Sequence, residues 1–435
     1  MSLNELGTTG TGGIDLGDKR INKRLIEFVD DSSRHIQSSI AQLGDSRHVS
    51  KAYYRLLAND KVDSYAVLEE HLKQVQSRAA KHPVVLCLQD TTELNYSSKQ
   101  SIEGLGRLCY DAQHGMYVHP TLMVTPEGLP LGITDLWSWS RKPKGEIDIK
   151  ESTRWKEGYE RVCELAQDQP KTRHVYIADR EGDLLDIIEA GEHLEHPADY
   201  LIRAKHSRIL ADETKLFSIT TEAYELGKLE FTTPRGRGKA ARQVIQTVYA
   251  KRVQLKSKHW ITIVIAQEAH PPKGSQAVVW RLITNRLVGD FLAACELINW
   301  YRKRWLIETF FNILKTGCQI ENRLLATKIR LERLLMIFLI ISYRILQMTM
   351  LSRIVPEQSC ELLFSREEWS VAYQVRYRKK PPTKAISLQD MCMIVSGFGG
   401  HLGRKGDGDA GAKTLWKGLL RLADYLEAAQ AVNGK

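Results

Sequence analysis

The chain has no cysteines spaced C-x-x-C; its seven (Cys87, Cys109, Cys163, Cys295, Cys318, Cys360, Cys392) are scattered over 435 residues. That argues against a structural zinc site and a disulfide scaffold, and it suits a reducing compartment. Long hydrophobic runs are missing too. The longest, Leu334–Ile341, has eight residues, whereas a bilayer span needs about 20, so it reads as a buried core helix. The first residues, Met-Ser-Leu-Asn-Glu-Leu-Gly, show neither a basic nor an apolar signal region, so no signal peptide is expected. There is no internal repeat and no low-complexity tract. The glycine-rich stretch 403–411 follows no predicted strand, which excludes a phosphate loop, and His193 with His196 lack a third metal ligand.

What is present is an ordinary soluble composition, 43% apolar and 26% charged, with a net charge of +10 that favours a polyanionic partner. Residues 1–80 read as helical. Within 18–29, Ile21, Leu25 and Phe28 share one face while Arg20 and Arg24 lie a turn apart on another. Two more helices are expected near 46–57 and 63–78. The pattern then changes. Val84–Leu88 and His174–Ala178 are short continuous apolar runs, the mark of buried central strands, with further strands around 117–125, 129–136 and 200–203 and a helix over 152–166. This succession predicts a mixed α/β sheet with helices on its faces. Residues 206–285 are β-rich. Inside them, Thr232–His259 carries eight Lys/Arg and no acid, which suits strands presented to phosphates as well as a solvated basic loop. Helices dominate from 288 to 351. A basic hinge at 376–384 then leads to a last helical region.

Each of the two buried strands ends on an aspartate: Asp90 in Gln-Asp-Thr-Thr, and Asp179 in Asp-Arg-Glu-Gly-Asp. A carboxylate at the C-terminal end of a buried strand sits where α/β sites form, although either residue also suits a simple turn cap. Two such carboxylates side by side repel one another unless cations neutralise them. A third group comes from 298–315, which reads as one helix. At about 100° per residue, Tyr301, Arg304, Glu308 and Lys315 share a stripe about 60° wide, flanked by Trp305 and Asn312. Leu306, Phe310, Ile313 and Leu314 fall on the other side. An Arg304–Glu308 surface pair would fit the charges alone, but it does not explain aromatic residues on the polar side.

Tyr301-x2-Arg304-x3-Glu308-x6-Lys315 resembles the YREK signature of the insertion-sequence-four family of bacterial DDE transposases, which includes the transposon-five transposase. Both aspartate contexts are similar to the family's own. So are Leu16-Gly17-Asp18 with Arg20 and Arg24, Ala52–Arg55, Ile202–His206, Trp280–Thr284, and the region from Ile386 to Trp416. The resemblance implies an RNase H-like (retroviral-integrase-like) core over 81–350 with a β insertion at about 206–285. It also implies a helical end-recognition domain over 1–80 and a helical dimerisation domain over 351–435. It implies cut-and-paste transposition: nicking of the transposon ends, hairpin formation and opening, and strand transfer. Asp90, Asp179 and Glu308 would be the catalytic residues, holding two Mg²⁺ or Mn²⁺ ions.

By the same resemblance Tyr301, Arg304 and Lys315 would contact DNA phosphates, and Trp280, with Trp305 beside it, a flipped base. Arg20, Arg24 and Arg55 would read end sequence. Arg180, Arg203, Lys205, Arg235, Arg237, Lys239 and Arg242 would add further DNA contacts. Leu415, Leu419, Leu422 and Leu426 are spaced as a helical seam, which suits a homodimer or packing within the chain. The implied partners are double-stranded DNA and a second copy, with no membrane and no small-molecule substrate, in a cytoplasmic, nucleoid-associated setting. A stand-alone metal-dependent nuclease on the same fold, or a catalytically silent DNA-binding derivative, accounts for parts of the same pattern.

Overall fold

A computed structural model describes residues 15–432 and 434, apart from 45, 99–101, 144, 147–149, 196, 220–224, 234–241, 275 and 405–406. The N-terminal part is helical, as expected: α1 (Lys19–Arg34), α2 (Arg47–Ala58) and α3 (Ser64–Ala79). Each starts on a side chain that accepts a hydrogen bond from a free backbone N–H, namely Asp18, Ser46 and Asp63. Leu25 and Phe28 are buried, and the Phe28 ring lies 4.7 Å from that of Tyr53 on α2. Helix α3 packs mainly on the sheet and on a long central helix.

The core is one mixed sheet. Its strands are β1 (Val84–Gln89), β2 (Thr92–Asn95), β3 (Gly106–Arg107), β4 (His114–Val124), β5 (Pro130–Trp139), β6 (Arg173–Ala178) and β7 (Asp199–Arg203). Strand β4 runs antiparallel between β5 and β1, and β6 then β7 follow β1 in parallel. Strands β1 and β2 pair with β4 in one uninterrupted register, so together they form a single long strand that opens at Asp90–Thr91. That register sets Asp90 opposite Pro120, which has no N–H to offer a partner. With helices on both faces this is the expected RNase H-like α/β core.

The β-rich stretch is not a separate barrel or sandwich. Strands β8 (Glu225–Thr233), β9 (Arg242–Gln254), β10 (Trp260–Glu268) and β11 (Val279–Thr284) extend the same sheet, because β11 pairs with the edge strand β7. One face of the sheet packs on α4 (Thr153–Asp168) and α5 (Leu185–His193) through Trp155, Tyr159 and Ile187. The other receives α6 (Phe291–Arg302), α7 (Trp305–Asn312) and α8 (Lys328–Ile354). Burying each large apolar side chain at these faces contributes about 1.5–3 kcal/mol.

Helix α8 is long and apolar enough to cross a membrane, yet 83% of its most apolar window is buried inside the fold. The C-terminal helices are α9 (Arg366–Tyr377), α10 (Leu388–Phe398) and α11 (Ala412–Val432); α10 and α11 pack on α8, and α9 packs on those two. The domain division drawn at 350 falls inside α8. On α11, Leu415, Leu419 and Leu422 are buried and Leu426 half-buried against the neighbouring helices. The leucine seam is therefore mainly internal packing, the second of the two readings its spacing allows, and not a free face for a second copy.

Gly158 on α4 lets that helix approach β1. A Cβ there would stand 1.9 Å from the Gln89 amide nitrogen, and Gln89 is fully buried and bonded to Thr121. We expect Gly158→Ala to cost about 1–3 kcal/mol by overpacking, read as a lowered urea midpoint with unchanged slope. An unaltered midpoint would show that Gln89 has room to move.

Candidate active site

Strand register brings the two aspartates together. In the parallel pair β1–β6, Val84 lies beside Arg173 and Leu88 beside Ile177. Two residues further on, the same register sets Asp90 beside Asp179, on strands about 4.8 Å apart. Alternation fixes their direction. Leu86, Leu88, Val175 and Ile177 belong to the core under α6–α8, whereas Cys87, Tyr176 and Ala178 face α4 and α5. Asp90 and Asp179 continue the first set, toward the helices that carry Glu308. Each carboxylate is fixed locally: Asp90 Oδ1 accepts the Thr91 N–H at 2.8 Å, and Asp179 Oδ1 the Glu181 N–H at 2.8 Å.

The third carboxylate does not arrive on the single helix expected over 298–315. The helix ends at Arg302 and a tight turn intervenes, with the Lys303 N–H bonded to Trp300 O and the Arg304 N–H to Tyr301 O. These i→i+3 bonds wind the chain at three residues per turn and so rotate α7 relative to α6. Lys303 anchors the turn by donating from Nζ to Glu127 O at 2.9 Å. Past Asn312 the chain unwinds instead into a π-helical turn, Ile313–Gly317, closed by the Cys318 N–H to Ile313 O at 2.8 Å. The uniform stripe is thereby corrected. Neither the tight turn nor the start of the π-helical one carries a glycine or proline that would signal it in sequence.

The tight turn aims Arg304 inward. Its guanidinium bridges two carboxylates, at 2.9 Å to Asp90 Oδ2 and 2.6 Å to Glu308 Oε1. Burial pushes the Asp90 carboxyl up to about 6; the Arg304 charge opposes this, and the nearby Asp179 and Glu308 charges add to it. The arrangement concentrates negative charge in a partly desolvated place and offsets it with one arginine. Among the described residues no three His, Cys, Asp or Glu side chains already converge as a metal cage. The donor set is nonetheless all oxygen, the preference of Mg²⁺ and Mn²⁺. Arg304 already shows that a cation is accommodated between two of the three carboxylates.

The other candidates occupy varied settings. Tyr301 is buried, with its hydroxyl pKa raised by burial, and its ring meets that of Trp280 edge-on at 6.3 Å. Trp280 is half-buried on β11 and stacks on Phe231 at 5.7 Å. Trp305 is 60% exposed, with the Arg304 guanidinium over its ring. Lys315 is turned away toward the β2 edge, donating to Glu93 O at 2.8 Å and pairing with Glu321 at 3.4 Å. Arg180 and Lys205 are exposed at the rim, and Arg203 is half-buried at the end of β7. Arg20 and Arg55 are exposed; Arg24 pairs with Glu27 at 3.0 Å on its own helix.

Arg235, Arg237 and Lys239 lie outside the described residues. Arg242 grips the buried Glu268 through both terminal guanidinium nitrogens, and Lys256 meets Glu213 at 3.1 Å. The basic stretch thus draws acids from elsewhere in the chain, which its own sequence does not show. Sequence reasoning also missed Arg154 on α4, which lies behind both aspartates.

Three family models match parts of the chain: transposase DNA-binding over 8–62, transposase DDE domain over 152–344, and transposase Tn5 dimerisation domain over 340–434. The chain is a DDE transposase related to that of Tn5. The DDE model spans Asp179 and Glu308, while Asp90 lies upstream of it. Among solved structures, a piggyBac transposase synaptic complex with hairpin DNA matches at 9% identity and TM-score 0.39, covering 81% of this chain and 73% of that one. That likeness is too loose to assign function. As a DDE transposase the chain acts in DNA transposition, has DNA as its partner and depends on divalent metal.

The raised Asp90 carboxyl has a measurable consequence for this transposase. A folded pKa above the unfolded value near 3.8 means that the native state holds this proton more tightly. Without divalent ions, this group's contribution to stability is full below about pH 4 and is lost as pH rises through about 6. We expect Asp90→Asn to remove that component from the pH profile of thermal unfolding measured in EDTA. An identical slope in wild type and variant would place the charge elsewhere.

Proposed function

We propose that the chain is a cut-and-paste transposase of insertion-sequence-four, YREK type, which nicks transposon ends, forms and opens hairpins, and joins the ends to target DNA. The observation that carries this reading is the pairing of Asp90 and Asp179 on adjacent parallel strand ends, with Glu308 tied to Asp90 through Arg304. Asp90, Asp179 and Glu308 would hold two Mg²⁺ or Mn²⁺ ions. Such ions, when bound, activate the attacking oxygen and stabilise the leaving one in an in-line displacement at phosphorus.

The remaining residues bind and orient DNA. Arg304 is a planar two-pronged donor, suited to exchange its carboxylate partners for a phosphate. Lys315 and Tyr301 complete the phosphate contacts: Lys315 leaves Glu93 and Glu321 to do so, and the buried Tyr301 needs its segment to shift. Exposed Trp305 and half-buried Trp280 offer aromatic faces for an unstacked base. Residues 1–80 would recognise end sequence through Arg20, Arg24 and Arg55, 81–350 would cut and join, and 351–435 would pair two copies. With the leucine seam internal, that pairing uses other surfaces of the C-terminal helices. Arg180, Arg203, Lys205 and the segment carrying Arg235, Arg237 and Lys239 would add sequence-independent contacts.

Replacing any one carboxylate (Asp90→Asn, Asp179→Asn or Glu308→Gln) is expected to abolish cleavage of end DNA in Mg²⁺ while leaving end binding in a gel-shift assay. Near-normal cleavage by any of the three would overturn the triad. A second measurement separates a transposase from a plain nuclease. Stacking a base on an aromatic is worth about 1–3 kcal/mol, so Trp280→Ala should slow hairpin formation roughly 10- to 100-fold and spare nicking. Equal loss of both steps on denaturing gels would mark Trp280 as a packing residue instead.

A further inference from the structure

Behind the two aspartates, on the opposite face of the sheet, one arginine reaches both of the turns that carry them. Arg154 lies on the first turn of α4, buried, with its guanidinium 5.0 Å from the Trp139 ring centre and 5.5 Å from that of Trp155. Its Nε donates to Thr91 Oγ1 at 3.2 Å, and one terminal nitrogen pairs with Glu181 Oε2 at 3.0 Å. The other terminal nitrogen is held by Glu151 O.

Thr91 and Glu181 are the residues whose backbone N–H groups hold the carboxylates of Asp90 and Asp179. Each aspartate is therefore fixed by a peptide group, and the side chain beside that peptide group is fixed by Arg154. The Thr91 end is buttressed further: Thr91 Oγ1 lies 2.9 Å from His119 Nδ1, and His119 Nε2 3.3 Å from Gln89 Oε1. We infer that Arg154 is a positioning residue that sets the spacing and orientation of the two carboxylates from behind, so that the pair is already arranged for divalent cations.

The physical need for such a clamp is plain. Parallel-strand hydrogen bonds hold β1 against β6 only as far as Leu88 and Ile177, and the two like charges lie beyond the last paired rung. Repulsion drives them apart, and the Arg304 bridge on their own face ties Asp90 to Glu308 rather than to Asp179. Arginine suits the task because one rigid fork reaches two acceptors in fixed directions, which lysine's single point charge cannot do. Losing an outer partner of a metal ligand typically weakens metal binding roughly 10- to 100-fold.

This inference rests on Asp90 and Asp179 being metal ligands. The test is direct Mn²⁺ binding, by electron paramagnetic resonance, to the full-length protein assembled on end DNA. Wild type, Arg154→Gln, Arg154→Lys, Glu181→Gln and Thr91→Val are compared, with Asp90→Asn as the reference for loss of the site. We expect Arg154→Gln and Arg154→Lys to raise half-saturating Mn²⁺ by roughly tenfold or more while end-DNA affinity in EDTA stays within about twofold of wild type. Glu181→Gln and Thr91→Val should each show part of that shift, and neither should add fully to Arg154→Gln. They carry the test if Arg154→Gln folds poorly.

Wild-type Mn²⁺ affinity in all four folded variants would overturn the clamp and leave the ligand assignment standing. Mn²⁺ binding in the wild type that Asp90→Asn does not diminish would overturn the ligand assignment, and the clamp with it. A variant that loses DNA binding and thermal stability together, with unchanged Mn²⁺ affinity in its folded fraction, would reduce Arg154 to a structural residue.

Discussion

Two like charges at the ends of neighbouring parallel strands are the constraint around which this transposase is arranged. Nothing in β-sheet packing favours Asp90 beside Asp179, and burial raises the cost by keeping water from them. The fold meets that cost on three sides. Peptide N–H groups of Thr91 and Glu181 hold the carboxylates in place, Arg154 ties the two turns from behind, and Arg304 brings positive charge from the front. The all-oxygen donor set suits divalent cations, and in their absence the paired carboxylates carry an electrostatic burden.

The late helices make sense on the same terms. A straight helix over 298–315 would carry Arg304 and Glu308 along one face as an ordinary pair. The over-wound turn at 303–304 instead brings Arg304 down between Glu308 and Asp90. The π-helical turn then releases the chain toward the β2 edge, where Lys315 is held by Glu93 and Glu321. Irregular helical turns of this kind often occur at functional sites. Here they place side chains that regular geometry would leave elsewhere.

Much of this is legible in the sequence, for identifiable reasons. The strands β1 and β6 are continuous apolar runs because both of their faces are covered, and their terminal aspartates interrupt those runs visibly. The residue types of the 301–315 segment can be read directly, and its amphipathic rhythm puts Phe310 and Ile313 in the core as expected. The bends are less accessible. They arise from tertiary anchors such as Lys303 on Glu127, which join residues far apart in the chain. Arg154 is hidden because it acts through the sheet from a helix that reads as simply amphipathic. The leucine seam on α11 is ambiguous in principle, because the same spacing serves a dimer or an internal bundle. Only the neighbours, α9 and α10, decide between them. Likewise, the basic run over 232–259 shows no acid of its own, but Glu268 and Glu213 reach it from outside.

We propose that Asp90, Asp179 and Glu308 form one cation-binding centre, which Arg304 shields in the DNA-free protein. The most direct measurement is anomalous scattering from Mn²⁺ in crystals of the protein bound to its end DNA. Manganese peaks coordinated by all three carboxylates are expected, with the Arg304 guanidinium moved from Asp90 to a phosphate. Manganese elsewhere, or an Arg304 still lodged between Asp90 and Glu308 in a complex that cleaves, would contradict it.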